Sequence, residues 1–426
     1  MNLAVYTLGC RLNQCESEAI ADSFAKAGFT VVGEEGSADI YIVNTCTVTA
    51  KAEQKARRMI RLFASRGASV VVTGCYAQMA HKELEALGGK LHIVPLERKA
   101  ALLSLAGHIN AAMLSGMDLD GAIASFTEPT SSVFDYEASS FSYHSRAYLK
   151  VQDGCDNECG YCRVHIARGH SVSLARDEVI RRALELEEAG FNEIVLTGVN
   201  LTMYDHEGEG LGGMMLALIP RLKPTTRLRL SSMEPDHIDE RLIEAVSSPN
   251  VHPHFHIPLQ SASDKVLERS SRKYSRSHLE WVISELRRVK EDPFLACDVI
   301  AGLPGEGEDE FRQTVDFVSS MGFAALHVFP FSPRPDTALY KARDRVAERV
   351  RDERAKELRE LSDRLHAAYV ARQQGRRLEV LLEKREGGLW HGTTGNYLKV
   401  DVEGAAFLSR GAIVSGIYRD GSVSLC

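Results

Sequence analysis

Short apolar runs rich in β-branched residues alternate with stretches of helical periodicity along most of this 426-residue chain. Layered α/β architectures satisfy that pattern, because each strand is buried by a helix laid across it. From Met1 to about Ala106, strands are expected at Leu3 to Thr7, Ile40 to Asn44 and Val70 to Thr73, with helices at Glu18 to Ala27 and Ala52 to Ser65. This predicts a parallel α/β layer. Between Arg146 and about Tyr340, six further runs alternate with helical stretches: Ala147 to Val151, Glu193 to Thr197, Arg227 to Ser231, His254 to Ile257, Ala296 to Ile300 and Ala325 to Phe329. About six β/α units predict an open or partial barrel.

Ser115 to Ser145 is rich in Ser, Asp, Glu and Gly without sustained periodicity, and reads as a connection. Arg343 to Gln374 is strongly charged with apolar residues at helical spacing, as expected of one helix with a solvated face. Beyond Arg376, β-type segments at Leu378 to Leu382, Tyr397 to Val400, Ala412 to Ser415 and Val423 to Leu425 predict a small all-β module. The expected organisation is a domain at 1–115, a linker at 116–145, a partial barrel with its following helix at 146–371, and the β module at 372–426.

With 44% hydrophobic and 26% charged residues, no apolar run reaches the ~18 to 20 residues that a membrane span requires. No membrane association is expected. The opening MNLAVYTLGCRLNQ has no basic region and no small-residue cleavage site, so it reads as a strand entering a functional loop, and a cytoplasmic location is expected. Nine cysteines, unevenly placed, then point to metal or redox chemistry before a disulphide framework. The net charge of −7 gives no whole-molecule attraction to nucleic acid and leaves recognition to a local basic face.

The cysteines fall into two sets. In DGCDNECGYC, Cys155, Cys159 and Cys162 follow the strand YLKVQ with the spacing C-x3-C-x2-C. Three thiolates on one tight loop can hold three irons of a cubane cluster and leave the fourth open to a small ligand, as reductive chemistry on a sulphonium cofactor requires. The alternative on this loop is zinc, with His165 as fourth ligand. Tyr161, beside the last cysteine, suits either packing near an adenine or ordinary core. Cys10 in TLGCRLNQ, Cys46 in VNTCTVT and Cys75 in VTGCYAQ each follow an expected strand. In a parallel sheet all three emerge at one carboxyl edge, where such folds place their sites; a second cluster competes here with three unrelated buried thiols. Cys15, Cys297 and Cys426 fit neither set.

These residues carry a resemblance. GCRLNQ, ADIYIVNTCTVTAKAEQKARRMIR and VVTGCYAQ, followed by IVLTGV, RLSSMEP, HFHIPLQSASD, DVIAGLPGE, HVFPFSPRPDT and TGNYLKVDVEG, resemble in order the three domains of the radical S-adenosylmethionine methylthiotransferases. The N-terminal match is most similar to the branch that acts on N6-threonylcarbamoyladenosine at position 37 of tRNA. The tail resembles that branch's RNA-binding β-barrel, the TRAM domain. The resemblance implies two [4Fe-4S] clusters and S-adenosylmethionine. The Cys155, Cys159 and Cys162 cluster would cleave the cofactor to a 5′-deoxyadenosyl radical, and the Cys10, Cys46 and Cys75 cluster would carry the sulphur; no side-chain acid or base is implied.

By position in the matching motifs, Tyr161, Gly198, Asn200, Ser231, Glu234, Gly302, Leu303 and Gly305 are the implied cofactor contacts, the glycines letting backbone approach the adenine. For the polar residues a capping or turn role competes. Some positions depart from the family pattern: His165 stands where the family usually has proline, Val172 and Leu174 where arginines are common, and ERSSRKYS keeps Arg272, Lys273 and Tyr274 but replaces the methionine that often precedes them. The implied partners are a tRNA anticodon stem-loop and an electron donor, with the chain a monomer. Candidate RNA contacts are Lys55, Arg57, Arg58 and Arg61 on the helix after Cys46, together with Arg376, Arg377, Lys399, Trp390 and Tyr397 in the tail. A solvated helix face and a β-barrel core are the bland alternatives. A ribosomal-protein substrate, another adenosine derivative, or a non-enzymatic zinc-bearing RNA-binding protein are the competing functions.

Overall fold

The computed structural model describes residues 1–127, 132–136, 145–404 and 407–425. Two compact units are present.

The first unit contains a five-stranded parallel sheet of order β2-β1-β3-β4-β5, comprising β1 (Asn2–Thr7), β2 (Thr30–Val32), β3 (Ile40–Thr45), β4 (Ser69–Gly74) and β5 (Leu91–Ile93). Every residue of β3 and β4 is buried, as their nearly continuous apolar sequences require of strands covered on both faces. Ile40, Ile42 and Val71 meet Phe24, Leu105 and Ile109 on one side; Tyr41, Val43, Val70 and Val72 meet Ile60 and Phe63 on the other. The short edge strands β2 and β5 were not expected, because three residues carry no periodicity.

The helix expected from Glu18 begins at Arg11 instead and runs to Lys26. Its first turns were missed because polar residues share their buried face: Asn13, Glu16 and Ser17 are buried beside Leu12 and Cys15, and a pattern of apolar spacing cannot register that. The expected linker also needs correction. Within it Leu119–Ala124 is a helix, capped by the Asp118 side chain on the Gly121 N–H, and Ala122 and Ile123 join the core around Phe24. Other parts of that segment, residues 128–131 and 137–144, lie outside the described residues, as does Cys426.

In the second unit, Glu193–Thr197 lies between Ala147–Lys150 and Arg227–Leu230, and Phe294–Ala301 between His254–Gln260 and Ala325–Pro330, all in parallel. A bridge from Leu228 to Val251 continues the strand series, so the six expected strands form a partial barrel. After the helix Glu348–Gln373, five strands close a small barrel around Val380, Leu382, Trp390, Val400, Val402, Tyr418 and Val423. Trp390 is therefore core, not an RNA-stacking surface. Among the described residues no helix is long and apolar enough to cross a membrane.

Candidate metal centre

Cys10, Cys46 and Cys75 follow β1, β3 and β4, which are adjacent in the sheet. Two glycines press their loops together. Gly9 has φ +98°, and a Cβ there would lie 2.8 Å from both Cβ and Sγ of Cys46. Gly74, also at φ +98°, would bring a Cβ to 2.6 Å from the Thr45 nitrogen. The Cys46 sulphur accepts from the Val48 N–H at 3.5 Å and the Cys75 sulphur from Arg168 Nε at 3.4 Å. Burial pushes the Cys46 thiol up to about 12, and the neighbouring Cys75 and Cys10 add to the rise. Thiols this crowded ionise when a metal cation replaces their protons. Tetrahedral zinc would draw its sulphurs to about 3.8 Å, given bonds of about 2.3 Å. Among the described residues the one trio of ligand-type side chains with all donor atoms within 4.8 Å is His256, Asp298 and His327. Cys10, Cys46 and Cys75 do not form such a trio, and three thiols on neighbouring loops are the kind of donor set a cubane takes.

Also in the first unit, the Cys155 N–H donates to the Gly169 carbonyl at 3.0 Å, and the Cys162 sulphur accepts from the Val164 N–H at 3.3 Å. Gly154 adopts φ +73° against the His170 carbonyl, where a Cβ has no room. His165 lies on the following short helix, Val164–Arg168. In the second unit, the buried Cys159 sulphur accepts from Arg272 Nη1 at 3.2 Å. Arg272 also donates to Tyr161 Oη at 3.3 Å and to the Pro258 carbonyl at 3.2 Å, and pairs with Glu234. Burial raises the Glu234 carboxyl above its ordinary range, with Arg272 opposing the rise. Tyr161 packs against Leu303, Phe331 and Leu339. Sulphurs that accept N–H bonds suit thiolate ligands, whose charge such donors stabilise.

The remaining implied cofactor residues divide. The Ser231 hydroxyl oxygen is buried with no hydrogen-bond partner among the described residues, so a ligand has an atom to bind there. The Asn200 N–H is already bound to Gln152 Oε1 at 2.9 Å, and its side-chain oxygen accepts from Thr202 at 3.1 Å. At Gly198 a Cβ would lie 2.6 Å from Gln152 Oε1, and at Gly302 it would lie 2.6 Å from Arg351 Cγ. These glycines make room for the protein's own side chains. Gly302 and Gly305 hold φ of +77° and +85°, with their N–H groups on Glu306 Oε1 and the Asp344 carbonyl.

The basic candidates are mostly engaged. Lys55 lies 5.7 Å over the Tyr6 ring, Arg57 donates to Tyr76 at 2.7 Å and pairs with Glu83, and Arg58 and Arg61 are exposed. Arg376 pairs with Glu291 and Asp292, Lys399 with Glu383, and Arg377 is exposed. The Tyr397 ring lies tilted 4.2 Å from His254 and beneath Arg229, and is half-buried by that packing.

Sequence reasoning left Arg168, Arg272 and the His256–Asp298–His327 trio without roles. His256 Nε2 lies 2.9 Å from Asp298 Oδ1, and His327 Nδ1 lies 3.4 Å from the same oxygen. The available signal was parity: Asp298 stands two residues beyond the Ala296 that pairs with His256, directly opposite His327.

Comparison with known proteins places this geometry. Residues 2–94 match the Uncharacterized protein family UPF0004 and residues 149–318 match the Radical SAM superfamily. The chain is 36% identical to the threonylcarbamoyladenosine tRNA methylthiotransferase MtaB of Treponema pallidum, covering 100% of each sequence. It belongs to the radical S-adenosylmethionine tRNA methylthiotransferases. The chain is also 35% identical to MtaB of Bacillus subtilis, over 94% of this chain and 90% of that one, and 31% identical to a tRNA-2-methylthio-N(6)-dimethylallyladenosine synthase of Endomicrobium trichonymphae, over 95% and 94%. Among solved structures, the radical S-adenosylmethionine methyltransferase TsrM of Kitasatospora setae shares the fold, with a TM-score of 0.56 at 15% identity over 80% of this chain and 75% of that one. This enzyme is a transferase.

Proposed function

We propose that the enzyme adds a methylthio group to C2 of N6-threonylcarbamoyladenosine at position 37 of tRNA. Full-length similarity to relatives named for that nucleoside carries this reading, and the two sets of cysteines give it chemistry. Cys10, Cys46 and Cys75 would hold one [4Fe-4S] cluster and Cys155, Cys159 and Cys162 another. When bound, the clusters and S-adenosylmethionine supply the electron, the 5′-deoxyadenosyl radical and the sulphur.

The chain's residues position these groups. Arg272 stabilises the Cys159 thiolate and fixes the Glu234 carboxylate, which can accept from a cofactor amino group. Tyr161 and Leu303 offer an apolar wall to an adenine, and Ser231 a hydroxyl. Exposed Arg58, Arg61 and Arg377, with Lys55, Arg57, Arg376 and Lys399, are the cations for an anticodon stem-loop. A separate electron donor, a monomeric chain and a cytoplasmic location complete the proposal. The similarity to dimethylallyladenosine synthases favours one competing substrate.

Iron, sulphide and zinc are to be measured after anaerobic reconstitution, together with electron paramagnetic resonance with and without S-adenosylmethionine. About eight irons and a cofactor-perturbed spectrum are expected; stoichiometric zinc without iron would overturn the reading. Mass spectrometry of nucleosides from treated tRNA then separates the threonylcarbamoyl from the dimethylallyl product. Replacing Cys155, Cys159 and Cys162 by alanine should abolish cofactor cleavage and leave about half the iron, while replacing Cys10, Cys46 and Cys75 should spare deoxyadenosine formation and stop methylthiolation.

A further inference from the structure

Arg168 is fully committed. Its Nε donates to Cys75 Sγ at 3.4 Å. Nη1 reaches Glu16 Oε1 at 3.1 Å and Asp153 Oδ1 and Oδ2 at 3.0 Å, and Nη2 reaches Asn13 Oδ1 at 2.9 Å and Glu16 Oε2 at 3.2 Å. The side chain is 3% exposed and that of Glu16 1%. A planar guanidinium gripped by two carboxylates and an amide cannot turn, so its remaining N–H is aimed at the sulphur by construction. Neutral thiol sulphur is a weak acceptor, and such a donor gains strength only when the sulphur is a thiolate.

The other charges around it are already paired. Lys99, 1% exposed, pairs with Glu16 and donates to Asn44 Oδ1 at 2.9 Å. Two buried cations, Arg168 and Lys99, are thus balanced by two buried carboxylates, Glu16 and Asp153, before any thiolate is counted. Arg168 also follows Cys162 on the same loop, and Asp153 precedes Cys155. One contact therefore fixes Cys75 against both ends of that loop within the first unit.

We propose that Arg168 is a positioning residue whose charge and N–H bond at the Cys75 sulphur set the reduction potential of the cluster on Cys10, Cys46 and Cys75, with Glu16 as the opposing charge. This rests on the two-cluster reading above. Donors and cations at the sulphurs favour the reduced, more negative cluster and raise its potential, whereas a nearby carboxylate lowers it.

The test uses the full-length chain bearing Cys155→Ala, Cys159→Ala and Cys162→Ala, so that the remaining cluster titrates alone. Its potential is read by electron paramagnetic resonance at poised potentials. Arg168→Gln should lower the ratio of reduced to oxidised cluster at fixed potential about tenfold, a downward shift of about 59 mV for one electron. Arg168→Lys, which keeps the charge, should fall less. Glu16→Gln, which stays isosteric should Arg168→Gln fold poorly, should shift the potential upward. Opposite signs at the two positions support the proposal. Unchanged potentials, or shifts of the same sign, overturn it. Iron lost already from the parent triple variant would instead overturn the auxiliary-cluster reading on which the proposal stands.

Discussion

The Arg272 guanidinium donates to the Cys159 sulphur at 3.2 Å while its other amino nitrogen is paired with Glu234. One buried cation thus serves a proposed cluster ligand and a carboxyl that burial pushes up. Arg272→Met should destabilise the fold by about 3 to 5 kcal/mol, because it strands Glu234 without a partner. Adding Glu234→Gln should recover most of that loss without restoring S-adenosylmethionine binding. Urea unfolding and equilibrium dialysis of the reconstituted enzyme separate the two effects; a double variant as unstable as the single one refutes the pairing argument.

Gly74 brings Cys75 to the Cys46 loop through a left-handed backbone that leaves no space for a methyl group beside Thr45. Gly74→Ala costs about 1 to 3 kcal/mol in backbone strain alone, and relief requires the Cys75 loop to back away from Thr45. The variant should reconstitute with about four irons, those of the Cys155, Cys159 and Cys162 cluster, in place of about eight. Iron content by colorimetric assay checks this, and full loading would show that the close approach does not place the ligand.

The strands were legible because burial on both faces writes itself as apolar runs, as in IYIVNT and SVVVTG. The cysteine positions at their carboxyl ends then followed from topology. What escaped was polar burial. Asn13, Glu16 and Lys99 are as buried as any leucine, yet their types argue for surface, and only three-dimensional proximity reveals that they compensate one another. The glycines misled for a related reason: at Gly198 and Gly302 the missing side chain makes room for Gln152 and Arg351, partners distant in sequence. Trp390, read as a base-stacking aromatic, is packed inside because a five-stranded barrel this small needs large residues to fill it, whereas Tyr397 is half-buried against His254 and Arg229 of the central strands.

Burial alone would raise the Asp298 carboxyl, but hydrogen bonds from His256 and His327 outweigh it and bring the group down to about 2 from 3.8. A carboxyl whose value is depressed on folding stabilises the protein above its unfolded value and loses that contribution as the pH falls through the folded one. Asp298→Asn should therefore cost about 2 kcal/mol at pH 7 and only about 1 kcal/mol at pH 3. Urea midpoints of both proteins across that range decide the matter; a pH-independent difference would mean that packing, not charge, is what the substitution removes.

Arg229 is completely buried, bound to Glu193 Oε1 at 2.8 Å, to the Gly395 and Thr394 carbonyls at 3.1 and 3.3 Å, and set 5.0 Å above the Tyr397 ring. It is one of the residues through which the central strands hold the tail, beside Arg227 on Glu379 and Arg146 on Glu383. Arg229→Met keeps the bulk but frees two carbonyls and removes one of the two guanidinium cations beside Glu193, leaving Arg146 and the His252 ring, whose burial pushes its pKa down. A loss of about 3 kcal/mol is expected, below the full cost of an unpaired charge because those two partners remain. The loss should be local: amide exchange at Thr393 to Tyr397 should accelerate while that of Ile40 to Thr45 stays unchanged. Since the tail is the proposed RNA-binding module, tRNA affinity should fall in parallel, measured by filter binding. Faster exchange with undiminished affinity would show that tRNA does not depend on how the tail is seated.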